Sequence, residues 1–301
     1  MTAMKYAIAH PARRAFDASL WRLLPLLLIL CAARGWCQAE DATSIHWAYS
    51  TYFGTGWYQI GDDRDAFAIR YAPRKTVREA ALHDDGPRVV GLEYRLPVTA
   101  GLDQFPLDDI AGTVDLGNLA NLSITPGIYA EIPVTGRWSL RPFGAIGWGT
   151  VLNGSESAFT YWAGIKSRLI MREGSPEIAL LNSAAFVGYS PSNGPSSGFW
   201  PVMTALELKH PVAELEKSGD VLELNWHAAY TYFQNDLDVL QQDATSDPVS
   251  DQWEVGIAVS RRDTTVGFWR FQFDRVGIAW RVSSDGDLKG VGLVFGSLFD
   301  Q

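Results

Sequence analysis

The stretch that decides the fold reads VLELNWHAAYTY and runs from Val221 to Tyr232. Apolar side chains occupy its even positions, which are Leu222, Leu224, Trp226, Ala228, Tyr230 and Tyr232. Polar side chains stand between them, at Glu223, Asn225, His227 and Thr231. Because successive side chains of a β-strand point to opposite faces of the sheet, the alternation predicts a strand with one apolar and one polar face.

The same period of two recurs along the rest of the chain and predicts twelve strands. They are placed at 44–58, 64–73, 87–98, 121–134, 137–152, 157–172, 176–190, 198–212, 219–234, 251–262, 268–283 and 288–299. Most are longer than the roughly 5 or 6 residues usual in globular sheets, and long enough for a tilted strand that crosses a bilayer, which needs about 9 to 11. The pattern therefore predicts an all-β fold: a closed antiparallel transmembrane β-barrel of about 12 strands, connected as an up-and-down meander.

The first 39 residues have the pattern of a signal peptide. Basic residues precede an apolar run, LLPLLLILCAA, that is too short to span a bilayer as a helix, and small residues follow it. Cleavage is expected after Ala39, so that Cys31 and Cys37 leave with the peptide and residues 40–301 form the barrel. Lipidation of a cysteine and a retained N-terminal anchor are the alternatives.

The charge of the mature chain argues against nucleic acid as a partner. Residues 1–39 contain five of the 25 basic residues and one of the 34 acidic residues, so cleavage leaves a net charge of −13. Nucleic-acid binding needs a basic face. No run after residue 40 reaches the ~18 consecutive apolar residues of a spanning helix.

The connections between the predicted strands alternate in length. Even-numbered connections are mostly short, as periplasmic turns of a bacterial barrel are, whereas connections three (99–120) and nine (235–250) are long. Connection two is the exception, and the capping-box spacing of Thr76 and Glu79 predicts a short helix there. Residues 109–116 are an alternative site for an extra strand.

The last two strands, FQFDRVGIAWRVSSDGDLKGVGLVFGSLF (271–299), resemble the closing hairpin of bacterial outer-membrane barrels. Val291, Leu293, Phe295 and Phe299 alternate as in the strand signal read by the barrel assembly machinery, although Ser297 stands where a large residue is usual. Together with ITPGIYAEIPVTGRWSLRPFGAIGWG (124–149), the chain resembles solitary autotransporter-type β-barrels. The resemblance implies a monomeric protein of the Gram-negative outer membrane, surrounded by outer-membrane lipids, with neither a passenger domain nor an established enzymatic activity.

Charged residues on the polar faces must point into the barrel, because each Arg or Lys facing mid-bilayer would cost about 2–4 kcal/mol. The expected lumen-lining set is Arg70, Glu93, Arg95, Glu131, Arg141, Lys166, Arg168, Glu207, Lys209, Glu223, His227, Glu254, Arg275 and Arg281. Its mixed signs favour an ion-pair lattice, and hence a structural barrel or a restricted, porin-like solute pathway, over a selective open pore. The expected membrane-girdle aromatics are Trp138, Trp148, Tyr161, Trp226, Trp280 and Phe299.

Two other functional classes remain as alternatives. The loop around Ser192, Asn193 and Gly194 resembles the His-x-Ser-Asn-Gly motif of outer-membrane phospholipases and lipid A deacylases, but Ser190 takes the place of the histidine base. Adhesion or phage reception through the long connections is the other class. The histidines show no metal-ligand spacing, so we expect no metal and no cofactor.

Overall fold

The computed structural model describes residues 43–44, 50–60, 64–82, 88–103, 119–152, 156–214, 220–238, 249–262, 266–268 and 271–300. All of them belong to one compact unit, Ala42–Gln301. The expected signal peptide and residues 109–116 lie outside this described part. No helix within the described ranges is both long enough and apolar enough to cross a bilayer.

Twelve strands form the wall, and three prolines and Trp200 divide four of them into two segments. They are β1 (Gly56–Ile60), β2 (Arg64–Tyr71 and Arg74–Arg78), β3 (Gly91–Arg95 and Val98–Asp103), β4 (Leu119–Ile124 and Gly127–Thr135), β5 (Trp138–Val151), β6 (Ser157–Arg172), β7 (Glu177–Pro191), β8 (Ser197–Phe199 and Pro201–Glu214), β9 (Val221–Asp238), β10 (Val249–Arg261), β11 (Arg275–Val282) and β12 (Leu288–Val294). One short helix, α1 (Ser50–Phe53), precedes them.

Each strand pairs antiparallel with its neighbour in sequence, and β12 closes the barrel on β1. The predicted architecture, a closed twelve-stranded up-and-down meander, is confirmed. We call the end where β5 begins and β12 ends the lower mouth, and the opposite end the upper mouth. The turns between β4 and β5 and between β6 and β7 lie at the lower mouth.

The strands are strongly staggered. A row of paired residues that leaves β5 at Val151 passes through all the other strands and returns to β5 at Arg137, 14 residues nearer the lower mouth. Such a stagger requires strands tilted by about 35–45° to the barrel axis. Each row of cross-strand neighbours therefore descends as it passes from β5 through β4 and β3 to β2.

The two faces of the wall invert the arrangement of a water-soluble protein. Large apolar side chains are exposed outside, for example Ile146 (59%) and Leu206 (50%). Polar side chains are buried inside, for example Thr99 (0%) and Asn225 (2%). An outer face of this kind is stable only in an apolar surrounding, because exposed apolar patches of this extent are rare on soluble monomers.

Three neighbouring strands break at the same level because each contains a proline. Pro73, Pro97 and Pro126 have no N–H to donate, but their carbonyl groups still accept hydrogen bonds from the next strand. The bond from Leu96 N to the Pro73 carbonyl oxygen is 3.0 Å long, and the bond from Thr125 N to the Pro97 carbonyl oxygen is 2.9 Å long. The wall therefore bends at this level without opening.

The first predicted strand, 44–58, is wrong over part of its described residues. Thr43–Ser44 pairs parallel with Leu237–Asp238 at the upper end of β9, Ser50–Phe53 is helical, and among the residues that the structure describes before β2 it is Gly56–Ile60 that joins the wall. Gly54 has φ +85°, a left-handed conformation that glycine adopts without strain and that turns the chain from α1 into β1.

The helix predicted from Thr76 and Glu79 is also wrong. Arg74–Arg78 continues β2 and pairs with Gly91–Arg95 of β3. The cross-strand hydrogen bonds of this ladder satisfy the backbone over several residues, which a single local cap cannot match.

The predicted bounds of the last two strands, 268–283 and 288–299, are too wide. Val266–Phe268 pairs with Phe271–Phe273 in a separate two-stranded sheet, so that β11 begins only at Arg275. This hairpin alternates apolar residues as a wall strand does, which explains the error. The final strand ends at Val294 rather than 299, because Gly296 has φ +128° and turns the chain.

The outer face gives a direct test of its surroundings. We expect Leu206→Arg, near the middle of β8, to lower the free energy of unfolding by about 2–4 kcal/mol, because it places a cation deep in hydrocarbon. The control Val212→Arg has a similarly exposed position (47% against 50%) near the lower end of β8 and should cost about 0–1 kcal/mol. Denaturant unfolding from phospholipid vesicles measures both, and equal small losses would contradict a hydrocarbon surrounding.

Candidate functional site in the lumen

The N-terminal segment, which comprises residues 52–55 before β1, fills the upper half of the lumen. Phe53 of α1 is 8% exposed and belongs to an aromatic cluster with Tyr58, Phe199 and Phe233. Tyr52 packs edge-on against Phe199, with ring centroids 5.3 Å apart. The segment is tied to the wall because the Thr55 hydroxyl accepts a hydrogen bond from Arg70 N at 2.9 Å.

The C-terminal tail, residues 297–300, fills the lower half of the lumen. Leu298 and Phe299 are 6% and 4% exposed and pack with Leu181, Ala205 and Ala229, which are inward-facing residues of β7, β8 and β9. After the turn at Gly296 the tail therefore lies inside the barrel rather than along the wall.

Polar contacts with four strands hold the tail in place. The backbone N–H of Leu298 donates to Glu207 Oε1 at 3.0 Å, and Lys166 Nζ donates to the Leu298 carbonyl oxygen at 3.3 Å. Arg141 Nη1 donates to Asp300 Oδ1 at 2.5 Å, and Arg95 donates to the Asp300 carbonyl oxygen. The Arg141 guanidinium also lies over the Phe299 ring, 4.1 Å from its centroid.

Ion pairs between inward-facing side chains also hold the segment that precedes β1. Glu254 pairs with His227 Nε2 at 2.8 Å and with Arg281. Arg281 also donates to the carbonyl oxygen of Phe53 at 2.5 Å and to the Tyr58 hydroxyl at 2.8 Å, and so fixes the N-terminal segment. The lattice therefore anchors α1 above and the tail below.

Twelve of the 14 residues expected in the lumen take part in such ion pairs. The pairs are Arg95–Glu93, Arg141–Glu131, Arg168–Glu177, Lys209–Glu223, Arg275–Glu207, His227–Glu254 and Arg281–Glu254. Arg70 instead lies 5.3 Å from the Trp162 ring centroid, and Lys166 binds the tail. Five of these seven pairs join neighbouring strands, Arg95–Glu93 lies within β3, and Arg275–Glu207 joins β11 to β8. Opposite charges thus meet throughout the inner face, as a filling lattice requires.

Of the six expected girdle aromatics, four tryptophans are exposed on the outer face, with fractional exposures from 37% to 56%; these are Trp138, Trp148, Trp226 and Trp280. Tyr161 is half-buried on the same face beside Phe186. The prediction is wrong for Phe299. This side chain lies in the lumen against Arg141, because the turn at Gly296 removes it from the wall. A girdle role for the other five stays a prediction.

Asp300 is a lumenal residue that was not predicted from the sequence, although the polar Ser297 indicates that the apolar stripe of β12 ends before it. That serine interrupts the apolar alternation, and its hydroxyl donates to Asp300 Oδ2 at 2.7 Å. Burial raises the pKa of Asp300, but the charge of Arg141 and the hydrogen bonds from Ser297 and Arg141 outweigh burial and bring that pKa below its ordinary value of 3.8. The carboxylate thus anchors the tail at every pH above that value, and the anchor is lost only as the pH falls through the lowered pKa.

The Ser192 loop shows no catalytic arrangement within the described residues. Ser192 N donates to the Ser157 carbonyl oxygen at 2.7 Å, and Ser157 N donates to Ser192 Oγ at 3.2 Å. Ser190, at the position of the missing histidine, contacts Ser196 Oγ at 2.8 Å. These bonds fasten β6 to the turn between β7 and β8, which is a structural role.

Comparison with known proteins supports the fold. No family model matches the chain, and no curated protein matches its sequence. Among solved structures, the β domain of the Bordetella autotransporter BrkA is similar at 10% identity and a TM-score of 0.51, over 80% of this chain and 95% of that one. The transport unit of the Escherichia coli autotransporter AIDA-I is similar at 10% identity and a TM-score of 0.43, over 80% and 88%.

The similarity to the BrkA β domain shows a shared fold. The predicted fold class, an all-β closed antiparallel barrel of about 12 strands, is therefore confirmed.

The ion-pair lattice predicts that two Glu→Gln substitutions lower the free energy of unfolding by very different amounts. Glu254→Gln should lower the free energy of unfolding by about 3–5 kcal/mol, because it leaves the buried Arg281 without its counter-ion. Glu173→Gln is the control: Glu173 pairs with Arg137 at 2.8 Å in the lower turns, where both side chains are more than half exposed, so little or no loss of stability is expected. Denaturant unfolding of both variants in the same vesicles measures this, and similar losses would contradict a structural lattice.

Proposed function

We propose that the chain is exported, loses residues 1–39 and functions as a monomeric barrel in the outer membrane of a Gram-negative bacterium. The described part of the barrel carries no passenger domain. Its role is structural, or that of a restricted solute pathway whose lumen is closed in the state described here. The apolar outer face and the similarity to an autotransporter β domain support the location.

The observation that carries this proposal is the occupation of the lumen by the segments that flank the wall strands. Tyr52 and Phe53, before β1, pack among inward-facing aromatic residues in the upper half, and Leu298 and Phe299, after β12, pack among inward-facing apolar residues in the lower half. Charged side chains on the inner face hold both segments. Because the two segments fill different halves of the lumen, a solute would have to displace both of them to pass.

The distribution of charge argues in the same direction. A selective pore usually presents one sign of charge at its constriction. Here the lumenal acids and bases neutralise one another over short distances, for example Arg275 with Glu207 at 3.2 Å and Lys209 with Glu223 at 3.4 Å. We infer that the lattice fills space and fixes the strands, and that it does not select ions.

We further propose that the lower mouth faces the periplasm and that β12 is the strand read by the barrel assembly machinery. Because Phe299 is engaged in the lumen, the outward stripe of this signal consists of Val291, Leu293 and Phe295. Val291 and Leu293 are 41% and 45% exposed, and Phe295 packs against Phe273 with ring centroids 4.7 Å apart.

Conductance in planar bilayers tests the closed lumen. We expect the wild-type protein to remain electrically closed. The quadruple variant Tyr52→Ala/Phe53→Ala/Leu298→Ala/Phe299→Ala should conduct, because it removes the large side chains that fill both halves of the lumen. Trp148→Ala is the control, since it removes a ring from the outer face. A wild type that conducts as a water-filled barrel does, or a quadruple variant as silent as the wild type, would contradict the proposal.

A further inference from the structure

A diagonal row of outward-facing residues crosses six strands of the wall. Cross-strand pairing joins Phe186 to Ala163, Ala163 to Gly144, Gly144 to Ile128, Ile128 to Tyr94 and Tyr94 to Lys75. Ala163 and Gly144 lie next to each other in this row and contribute almost no side chain to the outer surface. The wall is therefore depressed at its centre, and this groove has a volume of about 850 Å³.

Apolar side chains border the groove along its length. Leu96, Ile128 and Ile146 are 42%, 51% and 59% exposed beside it. At its β7 end, Phe186 contacts Tyr161 and Trp200, with ring centroids 5.9 and 5.0 Å apart. This end is closed by aromatic rings and carries no ionised side chain in the described lining.

The opposite end carries a cation. Lys75 is exposed, lies beside the outward-facing Tyr94 and forms no ion pair within the described residues. The neighbouring Arg74 also lines the groove, but it is paired with Asp274. A single uncompensated positive charge therefore stands at the end of an otherwise apolar groove.

The geometry matches one lipid chain in one leaflet. Neighbouring strands are about 4.8 Å apart, so the five steps from Phe186 to Lys75 span roughly 24 Å along the row. Because the strands tilt by about 35–45°, the row covers roughly 14–17 Å along the barrel axis, which is close to the ~15 Å thickness of half the hydrocarbon core. Because rows descend from β5 to β2, Lys75 lies nearer the lower mouth than Phe186 does. The cation is thus placed towards the headgroups of the lower leaflet.

We propose that this groove binds an anionic glycerophospholipid, with one acyl chain along Ala163 and Gly144 and the phosphate on Lys75. The bound phosphate supplies the counter-ion that Lys75 lacks, and the chain fills the surface left open by the two small residues. The inference rests on the proposed membrane location and adds a lipid site to it.

Native mass spectrometry of the folded, detergent-solubilised barrel tests the site, with phosphatidylglycerol and phosphatidylcholine of identical acyl chains as probes. The wild type should bind phosphatidylglycerol more tightly than phosphatidylcholine. Lys75→Gln should weaken phosphatidylglycerol binding about fivefold, the contribution of one cation near an anionic surface, and leave phosphatidylcholine binding unchanged. Lys289→Gln, an exposed lysine near the upper mouth, is the matched control and should have no effect.

A second variant tests the groove itself. A Cβ atom added at Gly144 meets nothing within 4 Å, so Gly144→Leu can occupy the groove without disturbing the wall. It should weaken binding of both lipids, whereas Ala228→Leu, at an exposed outward position on β9, should weaken neither.

Three results would overturn the site. The first is that Lys75→Gln and Lys289→Gln weaken phosphatidylglycerol binding equally, and the second is that Gly144→Leu binds both lipids as tightly as the wild type does. The third is that lipopolysaccharide displaces bound phosphatidylglycerol at a lower concentration than free phosphatidylglycerol does. Failure of the lipid site would leave the closed lumen intact, and a conducting wild-type barrel would overturn the closed lumen without affecting this groove.

Discussion

Hydrocarbon cannot solvate an ionised side chain or an unpaired backbone group, and this one constraint determines the arrangement of the whole chain. Closure of β12 on β1 pairs the wall strands, and the period of two then sends every second side chain inward. The lumen is the one polar surrounding that the wall strands can offer to their ionised side chains, so these side chains accumulate there. Asn225 at 2% exposure and Ile146 at 59% are two results of the same sorting.

Once the charges are inside, they need partners, and the lumen behaves as a polar core. Breaking a buried ion pair is costly because the remaining charge is left uncompensated. Glu254 satisfies both His227 and Arg281, and Arg281 in turn holds the Phe53 carbonyl. The charged side chains of the lumen thus bind the segments before β1 and after β12. The lumen is closed because these segments provide hydrogen-bond partners for the buried charges.

The sequence predicts the bounds of a strand well where that strand is hydrogen-bonded along its length to two long neighbouring strands. For β5, β6 and β7, the predicted bounds agree with the structure within about one residue, because alternation is uninterrupted there. The inward charges follow from the same period. Their partners could not be derived, since the 14-residue stagger that sets which side chains meet depends on all twelve strands together.

The failures occur where a competing, non-local interaction decides. Tyr52 and Phe53 fit an alternating stripe as well as wall residues do, but the space beside Phe199 in the lumen accepts their rings. Phe299 fits the outward stripe by parity, yet the turn at Gly296 places it under Arg141. Neither the volume of the lumen nor the position of Arg141 can be read from local spacing.

The account is tested most directly by locating neighbouring side chains relative to the lipid. In a chain with Cys31 and Cys37 replaced, a single cysteine at Arg168 or at Leu169 can carry a fluorescent label, and brominated lipids quench labels that face acyl chains. Leu169 is 38% exposed on the outer face, and Arg168 is paired with Glu177 on the inner face. The account predicts strong quenching of the label at 169 and little at 168; equal quenching, or the reverse order, would contradict it.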